Sequence, residues 1–136
     1  MDSTPNNGKL LFDVGGTFLK AVIADGNGRF VPDTEYSVPM PSDGPREEIE
    51  QALIAAVERG MRSAADRGLR IGCTGIAFPG PFDFGLGIPL MTHKFRNIYG
   101  ISLLDLLRTR TCHSPHPHNG SYSVRSGALL TLSFWV

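Results

Sequence analysis

The stretch KLLFDVGGTFLKAVIAD, residues 9–25, determines how the rest of the chain is interpreted. Two short apolar runs flank a pair of glycines, and runs of this length bounded by Gly and Asp are typical of adjacent β-strands. One acid, Asp13, lies inside the first run, and one base, Lys20, lies inside the second. The stretch therefore predicts a strand, a tight turn at Gly15 and Gly16, and a second strand.

The turn has the composition of an anion-binding site. Glycine adopts positive φ and has no Cβ, so consecutive N–H groups in such a turn can converge on one anion, and Thr17 adds a hydroxyl donor. A carboxylate inside an apolar strand needs a counter-charge, which a divalent cation or Lys20 can provide for Asp13. Residue types alone leave two interpretations open. One is a site for a nucleotide phosphate and its Mg²⁺; the other is a β-hairpin with a flexible turn and a surface Lys20–Asp13 pair.

The next segments predict a third strand and a helix. Residues 25–29, DGNGR, carry a turn signal, and residues 30–39 are typical of a more polar strand, so three consecutive antiparallel strands are expected. Ser42 or Asp43 can cap a helix that has Pro45 in its first turn and ends at a glycine stop, Gly68. Apolar residues then recur at offsets of three and four and predict the face that packs on the sheet: Ile49, Leu53, Ala56, Val57, Gly60, Met61 and Ala64.

A further strand and a loop follow the helix. Residues 69–78 are typical of a buried strand, and the helical crossover favours parallel pairing with the first strand. The loop PGPFD, residues 79–83, follows the carboxyl end of that strand, where ligands of α/β sheets usually bind. A rigid turn without a ligand role is the alternative for this loop, and Asp83 is interpreted as a carboxylate that caps the loop and not as a catalytic group. The next loop, with His93, Lys94 and Arg96, is expected to be solvated surface. A second helix is expected from Ile101, with Ser102 as its cap.

Composition limits the class of protein. The chain has 136 residues with 13 basic and 13 acidic side chains, so its charge favours neither nucleic acid nor an anionic membrane as a partner. The first eight residues contain neither the basic region nor the apolar region of a secretory signal. The apolar run 128–136 is shorter than the roughly 20 residues that a membrane span needs. A cytoplasmic protein is expected, and the sequence makes no prediction of its oligomeric state.

Two motifs carry a family resemblance. DVGGTFLKAVIAD, residues 13–25, and GCTGIAFPGPFDFGLGIPL, residues 72–90, resemble the ROK family of bacterial sugar kinases and sugar-responsive repressors, within the actin-like ATPase superfamily. The likeness covers about residues 9–107. It implies an α/β domain of the ribonuclease H-like type, whose mixed sheet has three antiparallel strands followed by a helix-crossover strand.

The resemblance also implies ligands and site residues. The implied cofactors are ATP and Mg²⁺, and the implied substrate is a sugar of the hexose class. Asp13 would hold the metal through water, and Pro79, Gly80 and Pro81 would border the sugar. The implied contacts to the nucleotide phosphates come from Gly15, Gly16, Thr17 and Lys20.

The resemblance stops near residue 108. Residues 109–136 contain no Asp, Glu or Lys, although they hold three of the four histidines. In ROK proteins the corresponding segment resembles Glu-Asn-Asp, and its Asp is the catalytic base, so no catalytic residue is assigned here. The expected division is a disordered N-terminus at 1–8, an incomplete ROK-type kinase domain at 9–108, and an irregular, non-matching tail at 109–136 that is out of frame or disordered.

The tail also contains a cluster of residue types that bind metals. Its members are Cys112, His113, His116 and His118. The intervening prolines and the lack of a second anchoring cluster argue against a formed site.

Three functional classes remain. The favoured interpretation is the N-terminal part of an ATP-dependent hexose kinase that is inactive as this isolated chain. The alternatives are a non-catalytic or vestigial domain that binds sugar or nucleotide, and the sugar-sensing domain of a ROK-type transcription regulator without its DNA-binding part. Because only eight residues precede Lys9, the regulator is disfavoured. The choice between ATP and polyphosphate as donor stays open, as does the identity of the sugar.

Overall fold

The computed structural model describes residues 7–83, 85–111, 122–124 and 129–133, with the backbone alone for 108–111 and the last two ranges. Its helices and strands are β1 (Asn7–Val14), β2 (Phe18–Ala24), β3 (Tyr36–Pro39), α1 (Arg46–Asp66), β4 (Arg70–Ala77), β5 (Phe82–Asp83), β6 (Ile88–Pro89), α2 (Leu103–Thr111), β7 (Tyr122–Val124) and β8 (Leu129–Ser133), with a 3₁₀ turn at Arg96–Ile98.

The fold is a mixed α/β arrangement built on a mixed sheet, as the sequence predicts. The strand order is β3-β2-β1-β4-β8-β7. Strands β1 and β2 pair antiparallel, as do β2 and β3, whereas β4 runs parallel to β1 after the crossover through α1. Strands β5 and β6 form a separate two-stranded sheet.

The core lies between the sheet and α1. Alternate residues of β1 and β2 are buried, because successive side chains of a strand point to opposite faces. The predicted helix face is confirmed, since all its members are buried except Met61, which is half-buried. Helix α1 ends at Asp66, and Gly68 follows with φ +68°, which is the expected glycine stop.

The predicted third strand is shorter in the structure. Only Tyr36–Pro39 forms β3, and Phe30 makes a single bridge to Ala24. Asp33 between them has φ +61°, which is incompatible with a continuous strand. The Thr34 hydroxyl replaces the strand pairing, because it accepts from the Ile23 amide at 3.1 Å and donates to the Val31 carbonyl at 2.7 Å.

The start of β1 and the N-terminal cap of α1 also differ from the prediction. Strand β1 begins at Asn7, so residues 7 and 8 belong to the sheet instead of a disordered N-terminus. Neither Ser42 nor Asp43 caps α1, whose N-cap is Pro45 without a side-chain hydrogen bond. At the second helix the predicted cap is confirmed: the Asp105 amide donates to the Ser102 hydroxyl at 3.2 Å.

The tail is not irregular throughout. Strand β8 pairs antiparallel with β4, and β7 pairs with β8, so these segments extend the sheet beyond β4. The cluster at Cys112, His113, His116 and His118 lies outside the described residues, as do residues 1–6. In the part of the chain that is described, neither helix is both long and apolar enough to cross a bilayer.

Replacement of Gly60 by alanine tests the close packing of α1 on the sheet. A Cβ at this position would lie 2.5 Å from Leu10 Cδ1 and 2.7 Å from the Tyr36 hydroxyl, and Leu10 is fully buried. We expect Gly60→Ala to lower the free energy of unfolding by about 1–2 kcal/mol in urea denaturation, because overpacking outweighs the better helix propensity of alanine. Gly72→Ala is the control, since among the described residues no atom beyond its chain neighbours lies within 4 Å of its Cβ position. Equal stability of the two variants would contradict the close approach.

Substitution of Thr74 and Thr34 by valine tests how a buried hydroxyl affects the free energy of unfolding. Both are almost fully buried, but the Thr74 hydroxyl has no hydrogen-bond partner among the described residues, whereas the Thr34 hydroxyl has the two bonds given above. Thr74→Val is expected to raise the free energy of unfolding by up to about 1 kcal/mol, and Thr34→Val to lower it by about 1–3 kcal/mol. Equilibrium unfolding of both variants measures the two changes, and the same sign for both would refute this assignment.

Candidate functional site

The Gly-Gly turn between β1 and β2 is tighter than the sequence alone indicates. The Gly15 amide donates to the Phe18 carbonyl at 2.9 Å, so this amide is not available to a ligand. In residues 7–83 and 85–111, the amides of Gly16 and Thr17 have no acceptor. Gly15, which was expected to contact phosphate, therefore offers no backbone donor, and the amides of Gly16 and Thr17 remain.

Gly15 and Gly16 are required because there is no room for a side chain, and not because the backbone needs positive φ. Neither Gly15 nor Gly16 has positive φ, which corrects the conformational reason expected from the sequence. A Cβ on Gly15 would lie 2.9 Å from the Phe18 carbonyl oxygen, and one on Gly16 would lie 3.0 Å from Lys94 Nζ. Glycine is needed here because other groups occupy the volume of a side chain.

The carbonyl groups of the turn are held by the segment before α1. The Met40 amide donates to the Thr17 carbonyl at 2.8 Å. The Ser42 hydroxyl donates to the Gly16 carbonyl at 2.5 Å, and Ser42 is buried. Ser42, which the sequence suggested as a helix cap, therefore fixes the turn instead. The two unoccupied amides are the hydrogen-bonding groups left for a ligand.

Asp13 and Lys20 lie opposite each other on the sheet face that α1 leaves uncovered. Their strands pair at this register, and both side chains are exposed. An open groove of about 620 Å³ runs along this face, and both residues line it together with Glu35 and Ser37. Over the described residues the one ion pair joins Arg46 to Glu50. Asp13 and Lys20 therefore form no ion pair, and both charged groups are accessible to a ligand.

The Pro-Gly-Pro loop lies at the same end of the sheet. Asp13 pairs with Ala77 of β4, and Pro79 follows two residues later. Gly80 and Pro81 are exposed, with the peptide bond between them in the cis form. The structure thus brings the two sequence motifs together at the carboxyl ends of two parallel strands, where ligands of such sheets bind. Asp83 holds the loop by accepting from the Leu86 amide at 3.0 Å, as predicted.

Lys94 is a residue of this site that sequence reasoning missed. The loop that carries it was expected to be solvated surface. In the structure, the three atoms closest to a Cβ position on Gly16 all belong to Lys94, at 3.0–3.4 Å. No spacing pattern in the sequence marks this lysine, because 78 residues separate it from Gly16 and only tertiary packing joins them.

These groups suit a phosphate with its magnesium ion. The donors are the amides of Gly16 and Thr17 and the ammonium groups of Lys20 and Lys94, and the Asp13 carboxylate, which has no ion-pair partner among the described residues, is an acceptor and a metal ligand. The described residues contain no cluster of three or more His, Cys, Asp or Glu side chains that could hold a metal. Mg²⁺ needs no such cluster, because one or two carboxylates are normally completed by substrate phosphates and water. The residues therefore fit a metal-bound phosphate chain.

Solved structures with a similar fold include ROK proteins. The ROK hexokinase from Thermus thermophilus is 30% identical over 76% of this chain and 32% of its own, with a TM-score of 0.58. A ROK glucokinase from Streptomyces griseus, solved with glucose and AMPPNP, is 25% identical over 76% of this chain and 30% of its own, with a TM-score of 0.58. A ROK transcriptional regulator, described as a homologue of an E. coli protein, has a TM-score of 0.67 over 82% of this chain and 27% of its own, and at 15% identity it shows the fold alone.

No protein-family model matches the chain, and no curated protein matches it. The chain spans about one third of the length of the two kinases. The likeness nevertheless extends over 76% of this chain, and the motifs at residues 13–25 and 72–90 resemble the same family. The chain belongs to the ROK family.

Proposed function

We propose that this chain is the phosphate-binding part of an ATP-dependent hexose kinase, which transfers the γ-phosphate of a nucleotide to a sugar hydroxyl. The observation that carries the proposal is the turn at residues 15–17. Its carbonyls are fixed by the protein while two amides, the Asp13 carboxylate and the Lys20 ammonium are left without partners in the described part of the chain. The hexokinase and glucokinase neighbours support the same assignment.

Each residue of the turn has a separate role in this proposal. Gly16 and Thr17 donate to phosphate oxygens, the latter from its amide and its hydroxyl. Gly15 contributes shape, since its own amide is engaged with Phe18. Lys20 adds positive charge, and Asp13 holds Mg²⁺ through water. When bound, the metal would neutralise part of the charge on the phosphates, while Asp13 would hold the metal's water ligands.

The loop at residues 79–81 borders the sugar in this proposal. It lies beside Asp13 at the end of the sheet, and a proline-rich backbone offers a rigid surface for a ligand. The glucokinase neighbour contains glucose, which supports a hexose as the sugar. A neighbour from Arthrobacter, an inorganic polyphosphate/ATP-glucomannokinase, has the same fold at 22% identity with a TM-score of 0.60. Polyphosphate is therefore the alternative donor.

The isolated polypeptide is expected to be inactive. No Asp or Glu follows Asp105, so residues 106–136 supply no carboxylate to take the proton from the sugar hydroxyl. General-base catalysis typically contributes about 10²–10⁴-fold to the rate. The second candidate function is binding without catalysis, as a vestigial domain or as the sugar-sensing domain of a regulator, and the lack of a candidate base in residues 106–136 favours it.

A coupled kinase assay and calorimetry separate these functions. With Mg-ATP and glucose, mannose, fructose, N-acetylmannosamine or N-acetylglucosamine, we expect no turnover above the uncatalysed background from this chain alone. Titration is expected to show binding of Mg-ATP. Turnover would contradict the expected inactivity of the isolated chain. Binding of a sugar without binding of a nucleotide would favour the function of a sugar-sensing domain.

Asp13→Asn tests the role of the carboxylate. We expect the variant to bind Mg-ATP about tenfold more weakly, because a charge-assisted contact to the metal and its waters is lost. In EDTA the difference should vanish or reverse, since the carboxylate then only repels the phosphates. Asp66→Asn, an exposed acid at the end of α1, is the control and should behave as wild type. Unchanged Mg-ATP affinity in Asp13→Asn would exclude this metal-binding role.

A further inference from the structure

We propose that Lys94 is a phosphate-binding residue that acts from the side of the Gly-Gly turn, together with Lys20. This inference rests on the proposed function and extends it, since it adds a contact from a distant loop to the phosphate chain. The evidence is the position of the Lys94 side chain against Gly16. Three features of the molecule support it: the anchoring of the loop, the charge at the turn, and the space left by Gly16.

The loop that carries Lys94 is fixed by its neighbour Phe95. Phe95 is fully buried, and its ring lies 4.9 Å from that of Phe78, at the end of β4. The Phe95 amide donates to the Ser42 carbonyl at 3.0 Å, while the Ser42 hydroxyl holds the Gly16 carbonyl. A single residue, Ser42, thus joins the loop to the turn. The backbone of Lys94 is positioned by packing even though its side chain is exposed.

The backbone of Phe95 adopts an unfavourable left-handed conformation, which the surrounding contacts must hold in place. Phe95 has φ +53°, a conformation that bulky residues rarely adopt. Burial of the ring and the hydrogen bond to Ser42 hold it there. Because Phe95 turns the chain at this point, the preceding lysine lies over the turn while the ring enters the core.

The charge at the turn is unbalanced in favour of an anion. Within the described ranges the one ion pair is Arg46 with Glu50, so the ammonium groups of Lys20 and Lys94 have no acidic partner. The Asp13 carboxylate, opposite Lys20 on the neighbouring strand, carries a single negative charge. The amides of Gly16 and Thr17, which have no acceptor in residues 7–83 and 85–111, add partial positive charge. A phosphate chain with several negative charges matches this arrangement better than a neutral ligand or a single carboxylate does.

The absence of a side chain at residue 16 lets the lysine approach. A Cβ there would lie 3.0 Å from Nζ and 3.2 Å from Cδ of Lys94. Both the ammonium and the methylene groups therefore lie against the turn. The lysine ammonium is a compact charge with three rotatable donors, so it can donate to phosphate oxygens from this position without movement of the backbone.

The test measures the affinity of the full chain for Mg-ATP and for Mg-tripolyphosphate. Lys94→Ala is expected to weaken both by a similar factor of about tenfold, because the lost contact is to phosphate and not to the nucleoside. Lys94→Arg keeps the charge and should retain most of the affinity. Arg96→Ala is the matched control, since Arg96 is an exposed cation in the same loop. The unfolding midpoint should be unchanged in all three variants because these side chains are exposed.

Each result of these titrations either supports or overturns the proposed role of Lys94. Weaker binding of both ligands to Lys94→Ala alone supports the proposal. Wild-type affinity of Lys94→Ala for Mg-tripolyphosphate would overturn it, and the proposed function would stand. A loss equal to that of Arg96→Ala would also overturn it, since the effect would then be one of general charge. Failure of the wild-type chain to bind either ligand would overturn the proposed function together with this inference.

Discussion

The pairing of β1 on both of its edges is the constraint on which the site depends. Antiparallel pairing with β2 places Lys20 opposite Asp13, and parallel pairing with β4 places Ala77 on the other side of the same residue. The turn after β1 and the loop after β4 must then leave the sheet at the same end. The turn at residues 15–17 and the loop at residues 79–81 are more than 60 residues apart in the chain and become neighbours for this reason.

The need for glycine at both positions of the turn comes from the lack of space for side chains. Its two glycines have ordinary backbone angles, but the Phe18 carbonyl occupies the side-chain space of Gly15, and the Lys94 side chain occupies that of Gly16. Ser42 and Met40 hold the carbonyls from outside, which leaves amides as the free polar groups. A site of this kind is preorganised, since ligand binding does not have to break hydrogen bonds within the turn.

Local patterns in the sequence predicted several features correctly. The buried face of α1, the glycine after its end, the Ser102 cap and the loop-capping role of Asp83 all depend on residues within a few positions of each other. The third strand was predicted too long because the Thr34 hydroxyl takes over the hydrogen bonds of a strand, and no periodicity reveals that. Ser42 was misassigned for a related reason: its helix-capping pattern is common, whereas its actual partner, Gly16, is 26 residues away.

The sequence by itself determined that the chain contains a strand-turn-strand motif with an acid and a base, an amphipathic crossover helix and a Pro-Gly-Pro loop, because each of these signals is local. Only the tertiary structure decided which turn amides are free, that Asp13 and Lys20 stay unpaired, and that Lys94 lies over Gly16. These facts depend on distances between segments that are far apart in the chain. Such distances follow from how the sheet and the core pack, which no residue pattern encodes by itself.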